Sequence, residues 1–457
     1  MSMEHTVVKP KVLIIGAGLS GLSLAAILDR AGVPYEIFEK ASALKPLGSA
    51  ICLGPGVMPM FTQLGVIDQI EAKGKINKES FMYNEKLELL TRSDYSTGYE
   101  ERFGWKTYII SRPALHNILL NSIPQEKIHL NKRLLSFEET LDGVAIRTAD
   151  DQTYHGNILV GADGAYSGVR QFLYSQLSKK GSLPALDTLP MKYSTVCLVG
   201  QTRPLTEEEY VNINDDVCRT EFMLADTKPF FFVMFTTAEN TVCWMVLEML
   251  DGATSKKHDG FRESDWGPEA VDSMIQQIRG FSVRKNLTMG ELIDLTPKEV
   301  IRKVILEEKL FETWTSGRTA LMGDACHKMP PNAGLGGQSA MYDAVVLGNY
   351  LSSLTTNSTK DIEKALLAYR DERYQHAKDS VAMSSALTKI LKKNLLGMLL
   401  RKALNHLPRW LHNLLGARIN GYRPQISFLP PVDDKGTRPP MFQPSLEKTR
   451  PGTTTIV

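Results

Sequence analysis

Apolar residues along this 457-residue chain fall into two rhythms, short solid runs and helical stripes, whose alternation lays out the elements. Val12–Ile15 is a solid run that predicts a buried strand. Leu22, Leu24, Ala25, Ala26 and Leu28 follow at helical spacing, Gly32 stops that helix, and residues 35–38 predict a second strand ending on Glu39. Residues 81–90 and 107–110 have strand character. Ser111-Arg112-Pro113 reads as a helix start, with Ser111 as cap, Pro113 early in the helix and Leu115, Ile118 and Leu119 as its stripe. Residues 127–130, 134–138, 143–148 and 153–154 look like hairpin strands, and 158–160 like a buried one. From about 191 to 304 the chain turns to runs rich in Val, Phe and Thr (195–200, 220–224, 229–237 and 241–249), which predict a separate antiparallel sheet. Its Phe230, Phe232, Met234, Trp244 and Val246 read either as plain sheet core or as cover for a hydrophobic ligand. A last buried strand at 319–322 precedes helices beyond residue 357.

The first strand, helix and second strand make a complete βαβ unit, and Gly16, Gly18 and Gly21 stand between strand and helix in G-x-G-x-x-G spacing. Gly16 permits the tight turn, Gly18 lets a pyrophosphate approach the backbone, and Gly21 lets helix and strand pack closely. The helix N-terminus offers free N–H groups and partial positive charge to the phosphates. Glu39, 21 residues beyond Gly18, is placed to accept hydrogen bonds from an adenosine ribose. The stretch predicts dinucleotide binding without choosing between FAD and NAD.

Two later stretches carry related chemistry. Gly161-Ala162-Asp163-Gly164, followed by Ser167 and Arg170, puts an acid between glycines at a strand end; it is either a group that orients a ribityl or pyrophosphate moiety or a capped βα turn. The run from Gly323-Asp324 through Pro330-Pro331 to Gly334, Gly336 and Gly337 joins an acid at a strand end to a Pro-rich loop and a Gly-rich helix start. That arrangement aims an electropositive helix end at a ligand.

Composition narrows the partners. The length calls for two or three lobes, and 43% hydrophobic with 23% charged residues is globular usage. With 53 basic against 51 acidic residues the net charge is +2, which gives no reason to expect nucleic acid. Cys52, Cys197, Cys218, Cys243 and Cys326 lack metal or C-x-x-C spacing and read as reduced core thiols of a cytoplasmic protein; no metal site is expected. No G-x-S-x-G, H-E-x-x-H or P-loop supports hydrolase chemistry. From Lys389 to Arg423 there is no acidic residue, and apolar positions follow helical spacing. This basic amphipathic segment reads either as helices docked on the body or as a peripheral contact with an intracellular membrane. Residues 423–457 read as an extended tail.

The three devices, in this order and at these distances, resemble the FAD-dependent aromatic hydroxylases, the single-component flavoprotein monooxygenases typified by para-hydroxybenzoate hydroxylase. GDACHK, PNAGLGG and the closing YRPQISFLP look most like fungal secondary-metabolism members. The resemblance implies an α/β fold: a Rossmann-like FAD-binding domain of the GR2 type, an inserted antiparallel β-sheet substrate domain and C-terminal helices. The expected division is 1–80, 106–185 and 305–355 for FAD; 81–105 and 186–304 for substrate; 356–422 for helices; and 423–457 for the tail. It implies that Gly16, Gly18 and Gly21 hold the FAD pyrophosphate and Glu39 the ribose, with Arg112 near the flavin and its phosphates. Asp163 and Gly164 serve FAD and the passing nicotinamide cofactor, and Asp324 the ribityl chain. Pro330 and Pro331 lie at the flavin edge, and Gly334, Gly336 and Gly337 lead a helix aimed at N1 and C2=O. It implies NAD(P)H and O2 as co-substrates, a C4a-hydroperoxyflavin, and hydroxylation or epoxidation of a hydrophobic aromatic, polyketide or terpenoid molecule. A reductase of the same fold and a non-enzymatic FAD scaffold are the alternatives. The chain departs from the family pattern at Gly56, Leu335 and Gln338, where Asn, Gln and Asn are usual.

Overall fold

The computed structural model describes residues 9–44, 50–94, 96–250, 268–391, 417–418 and 420–447. Its first layer grows from the predicted βαβ unit: β1 (Val12–Ile15), α1 (Leu19–Arg30) and β2 (Tyr35–Phe38). β3 (Ile158–Gly161) pairs parallel with β1, and β4 (Thr319–Leu321) parallel with β3. The sheet runs Thr315–Ser316, β4, β3, β1, β2, Ile128–His129. Helices cover such a parallel sheet on both faces, so its strands are solidly apolar, and every residue of β1, β3 and β4 is buried. Residues 127–130, read above as a hairpin strand, instead supply Ile128–His129 as a parallel edge beside β2. The His129 ring stacks on Phe38 at 5.0 Å, a contact made across 91 residues of sequence.

A second, ten-stranded sheet forms the other layer, ordered His327–Lys328, Arg302–Leu310, Lys192–Gln201, Val242–Met249, Phe230–Thr236, Val217–Leu224, Gly74–Asn84, Tyr108–Ser111, Ala50–Leu53, with Leu89–Asp94 beside Gly74–Asn84. The sheet is antiparallel as expected except at one pair, where Val217–Leu224 runs parallel with Gly74–Asn84. More than a hundred residues separate the two strands, so the connection is long enough to permit it. The apolar run at 81–90 is likewise a hairpin rather than one strand: Asn84 Oδ1 accepts from the backbone of Lys86 and Glu88 and turns the chain.

The two edges of this sheet bear on function. One edge strand, Ala50–Leu53, pairs with Tyr108–Ser111, which feeds directly into α2 (Arg112–Leu120). The other edge, His327–Lys328, follows the Gly323-Asp324 turn. α3 (Gly336–Ser352) packs on α1, and α4 (Thr359–Leu391) packs on α3. The last described segment is strapped over them: Arg423, 2% exposed, pairs with Asp434, while Gln63 bonds the backbone of Ile426 and Pro430. All five cysteines are free thiols. Among the described residues no helix is long and apolar enough to cross a membrane. Most of the basic amphipathic segment, 392–416 with 419, lies outside the described residues.

Candidate functional site

Three strand ends bring the three motifs together. Gly16 has φ +106°, and a Cβ there would stand 2.6 Å from the carbonyl oxygen of Ala162, so the first and second motifs touch backbone to backbone. A Cβ on Gly21 would lie 2.0 Å from Gly16 O, which explains the close seat of α1 on its turn. Gly18 is exposed with nothing within 4 Å of its Cβ position, and α1 begins there without a side-chain cap. Open space in front of uncapped N–H groups is what an incoming phosphate requires. Glu39 closes the loop from the other side: its Oε2 accepts from Ala17 N and its Oε1 from Ala41 N, both at 2.9 Å.

The second motif is a capped βα turn in which the acid also keeps one oxygen uncommitted. Asp163 Oδ2 accepts from Gly168 N at 2.7 Å and Val169 N at 3.2 Å, while its buried Oδ1 has no hydrogen-bond partner among the described residues. Burial pushes this carboxyl above the usual carboxylate range against those donors. Arg170, 6% exposed, ties the second motif to the third by donating to Ala165 O at 2.6 Å and Ala325 O at 2.8 Å.

At the third motif, Asp324 accepts from Lys328 Nζ at 2.6 Å. Burial opposes its charge, yet Lys328, His327 and Arg112 outweigh burial and hold its carboxyl below the usual range. Arg112 is exposed and makes no hydrogen bond or ion pair among the described residues. Pro331–Ala333 form a short turn that Gly334 reverses at φ +65°, and α3 then starts without a side-chain cap. A Cβ on Gly337 would meet Ile51 Cδ1 at 2.5 Å, so the edge strand of the large sheet rests against this helix start.

The departures from the family pattern have physical reasons. A Cβ at Gly56 would lie 2.0 Å from the Tyr342 hydroxyl and 2.7 Å from Tyr422 O, which leaves no room for Asn. Gln338, 5% exposed, is engaged with Gly54 N and Gly334 O. Leu335 is buried at the helix entrance.

A buried ion cluster behind the third motif went unread in the sequence. Asp343 accepts from Gly323 N at 2.8 Å, contacts His327 Nε2 at 2.5 Å and pairs with Arg373 Nε at 2.8 Å, all three side chains being at most 1% exposed. Burial disfavours the Asp343 charge, but His327 and Arg373 keep its carboxyl below the usual range. Cys326, His327 and Asp343 have metal-like proximity, yet Arg373 on the same carboxylate makes this an ion-paired brace. The available signal was Asp343 itself, a carboxylate inside the apolar run Ala340–Leu347, where an unpaired charge would be prohibitive. His116 was also missed; its Nε2 lies 2.9 Å from Ala17 O and props the glycine turn.

The large sheet sorts its side chains by parity. Phe230, Phe232, Met234, Trp244 and Val246 are at most 1% exposed and pack with Met274, Ile278 and Leu292 on the outer face, so they are core. The intervening residues form the inner face: Met82, Val199, Phe222, Phe235, Met245 and Val304 are only half-buried around Phe231 and Leu247. Leu391 of α4 packs on that face, Ser385 donates to Glu308 at its edge, and Thr388 accepts from Asn332 of the Pro-rich loop. α4 thus spans from the apolar face to the start of α3.

Residues 9–384 match the family model described as FAD binding domain. The chain is similar to the FAD-dependent monooxygenase ptmM of Penicillium ochrochloron, 32% identical over 385 residues that make up 79% of this chain and 84% of the relative. It is also similar to the aurachin C monooxygenase/isomerase of Stigmatella aurantiaca, 29% identical over 83% of this chain and 89% of that one. Among solved structures, Klebsiella pneumoniae HpxO complexed with FAD and uric acid shares the fold, with a TM-score of 0.72 over 90% of this chain and 97% of that one at 21% identity.

Proposed function

Since the chain belongs to the FAD-dependent monooxygenase family, we propose that it uses NAD(P)H and O2 to hydroxylate or epoxidise a neutral, hydrophobic small molecule of aromatic, polyketide or terpenoid type. The observation that carries the substrate class is the half-buried inner face of Met82, Val199, Phe222, Phe235, Met245 and Val304. Apolar groups left partly open beside a cofactor loop favour an apolar occupant, and the stacked pair Phe222–Phe231, 5.6 Å apart, favours a flat one.

The residues present fit FAD. The open Gly18 turn with its uncapped N–H groups, together with Arg112, would hold the pyrophosphate; Glu39 would hold the ribose; and the ionised Asp324 would accept from the ribityl hydroxyls. Asp163 Oδ1, buried without a partner among the described residues, would leave an acceptor for the cofactor or for a passing nicotinamide. Bound FAD supplies the redox and oxygen-activating chemistry, so no side chain has to. The chain's part is to orient and to exclude water. Gly334, Gly336 and Gly337 would present the first turn of α3 to a bound flavin, whose negative charge its free N–H groups would favour by about 1–2 kcal/mol. Pro330 and Pro331 stiffen the loop beside it, and the apolar inner face keeps water from the reacting carbon.

The test is product analysis under 18O2. Purified holoprotein is given NADH or NADPH and a panel of neutral aromatic and terpenoid compounds. One labelled oxygen per product, coupled to NAD(P)H consumption, is the expected result. NAD(P)H oxidation with no labelled product across a panel that includes saturating binders would favour the reductase reading instead.

A further inference from the structure

Two loops meet at the start of α3, and one side chain joins them. Gln338 lies in the first turn of that helix. Its Oε1 accepts from Gly54 N at 3.0 Å, across 284 residues of sequence, and its Nε2 donates to Gly334 O at 3.1 Å. Gly54 ends the edge strand Ala50–Leu53, whose Ile51 rests on Gly337; Gly334 is the left-handed residue that turns the Pro-rich loop into the helix. A Cβ at Gly54 would come within 2.9 Å of Gln338 Oε1, so that turn is shaped around the amide. One helical turn on, Tyr342 occupies the space a side chain at Gly56 would need, so positions 338 and 342 grip one backbone turn from a single helix face.

We propose that Gln338 is a positioning residue for the flavin: its amide clamps the Gly54 turn to the Gly334 loop and so fixes where the N–H groups of Gly336 and Gly337 point. Both arms are needed. Asn lacks the reach to touch both loops, which is why the longer amide accompanies Gly56 in this chain. Breaking the clamp leaves Gly54 N–H and Gly334 C=O, both next to the flavin position, without their buried partner. The inference rests on FAD binding and is independent of the substrate and of oxygen insertion, so it stands or falls separately from the reaction proposed above.

The experiment compares Gln338→Ala and Gln338→Glu with the parent. The carboxylate of Gln338→Glu can still accept from Gly54 N but cannot donate to Gly334 O, so it breaks one arm. Three quantities are measured: FAD affinity by titration of apoprotein, the flavin midpoint potential and visible spectrum of holoprotein, and hydrogen exchange at 54–57 and 334–337. The expected result is roughly tenfold weaker FAD binding for Gln338→Ala, a shifted potential in both variants, and faster exchange confined to those two segments, with Gln338→Glu sparing 54–57. Parental potential and exchange in both variants would overturn the proposal, as would a fall in thermal stability with an unshifted potential, which marks a purely structural residue. If Gln338→Ala fails to fold with FAD, Gln338→Asn takes its place, and the same shifts in potential and exchange support or overturn the clamp.

Discussion

The two faces of the ten-stranded sheet are built from the same strands, one residue out of step, and they have different fates. On the outer face Trp244, 0% exposed, donates Nε1–H to Thr296 Oγ1 at 2.9 Å and covers Gly200, where a Cβ would stand 2.3 Å from the indole. On the inner face Phe235 and Met245, the immediate partners of Cys243 and Val233 across the strands, stay half-buried. One face has spent its apolar area on folding; the other holds area in reserve. A hydrophobic side chain in a strand therefore reports burial by parity, while its function depends on which parity faces a partner outside the sheet.

The largest expected effect comes from breaking the outer face. Trp244→Ala should lower the unfolding free energy by about 3–5 kcal/mol, read by urea denaturation, while the folded fraction keeps a parental flavin spectrum. A matching loss of substrate affinity would mean that the faces are not separate.

Acid should loosen the contact between α4 and the closing segment. His376 stacks on Tyr422 at 4.0 Å, with Glu372 bonded to that tyrosine, Arg373 nearby and Asp379 paired to Arg418. Burial, then Arg373, pulls its imidazole from 6.5 down to about 4, with Asp379 opposing. The folded pKa is depressed, so the stabilisation from a neutral His376 is complete above pH 6.5 and is lost as pH falls toward 4. At pH 5 the loss is about 1–2 kcal/mol. His376→Phe keeps the stack, and its stability should change less between pH 7.5 and 5 in denaturation curves; equal pH slopes would refute the assignment.

Phe235→Ala should move least in stability, by less than about 1 kcal/mol, yet raise KM for an apolar substrate roughly tenfold, or about 1.4 kcal/mol. An unchanged KM with a large loss of stability would turn the inner face into ordinary core.

Local chemistry made much of this readable in advance. Gly16, Gly18 and Gly21 act within a single turn, and Ser111 caps its helix by accepting from Ala114 N at 3.3 Å, so spacing was sufficient. What escaped was non-local. Nothing near Ile128 announces a parallel partner at Ile37, and Asp343 meets Arg373 only once α3 and α4 have packed. The alternation of Phe230 with Phe231 was visible, but not which of them turned toward α4. Gln338 and Gly56 stood out as departures, and their reasons lie far away in the chain, in the Gly54 hydrogen bond for one and the Tyr342 hydroxyl for the other.

The ordering of these motifs along the chain also sets a timetable. Gly18 emerges from the ribosome long before Gln338, roughly 15–60 seconds earlier at ordinary synthesis rates; within that interval β1 waits for β3, and β3 in turn for β4. For the first part of it the glycine turn lacks Ala162 beneath it, and for most of it Gly323 beside Ser20. The three motifs are therefore assembled only after α3 has been made. A nascent chain halted before α3 would lack the helix start of the third motif of the site.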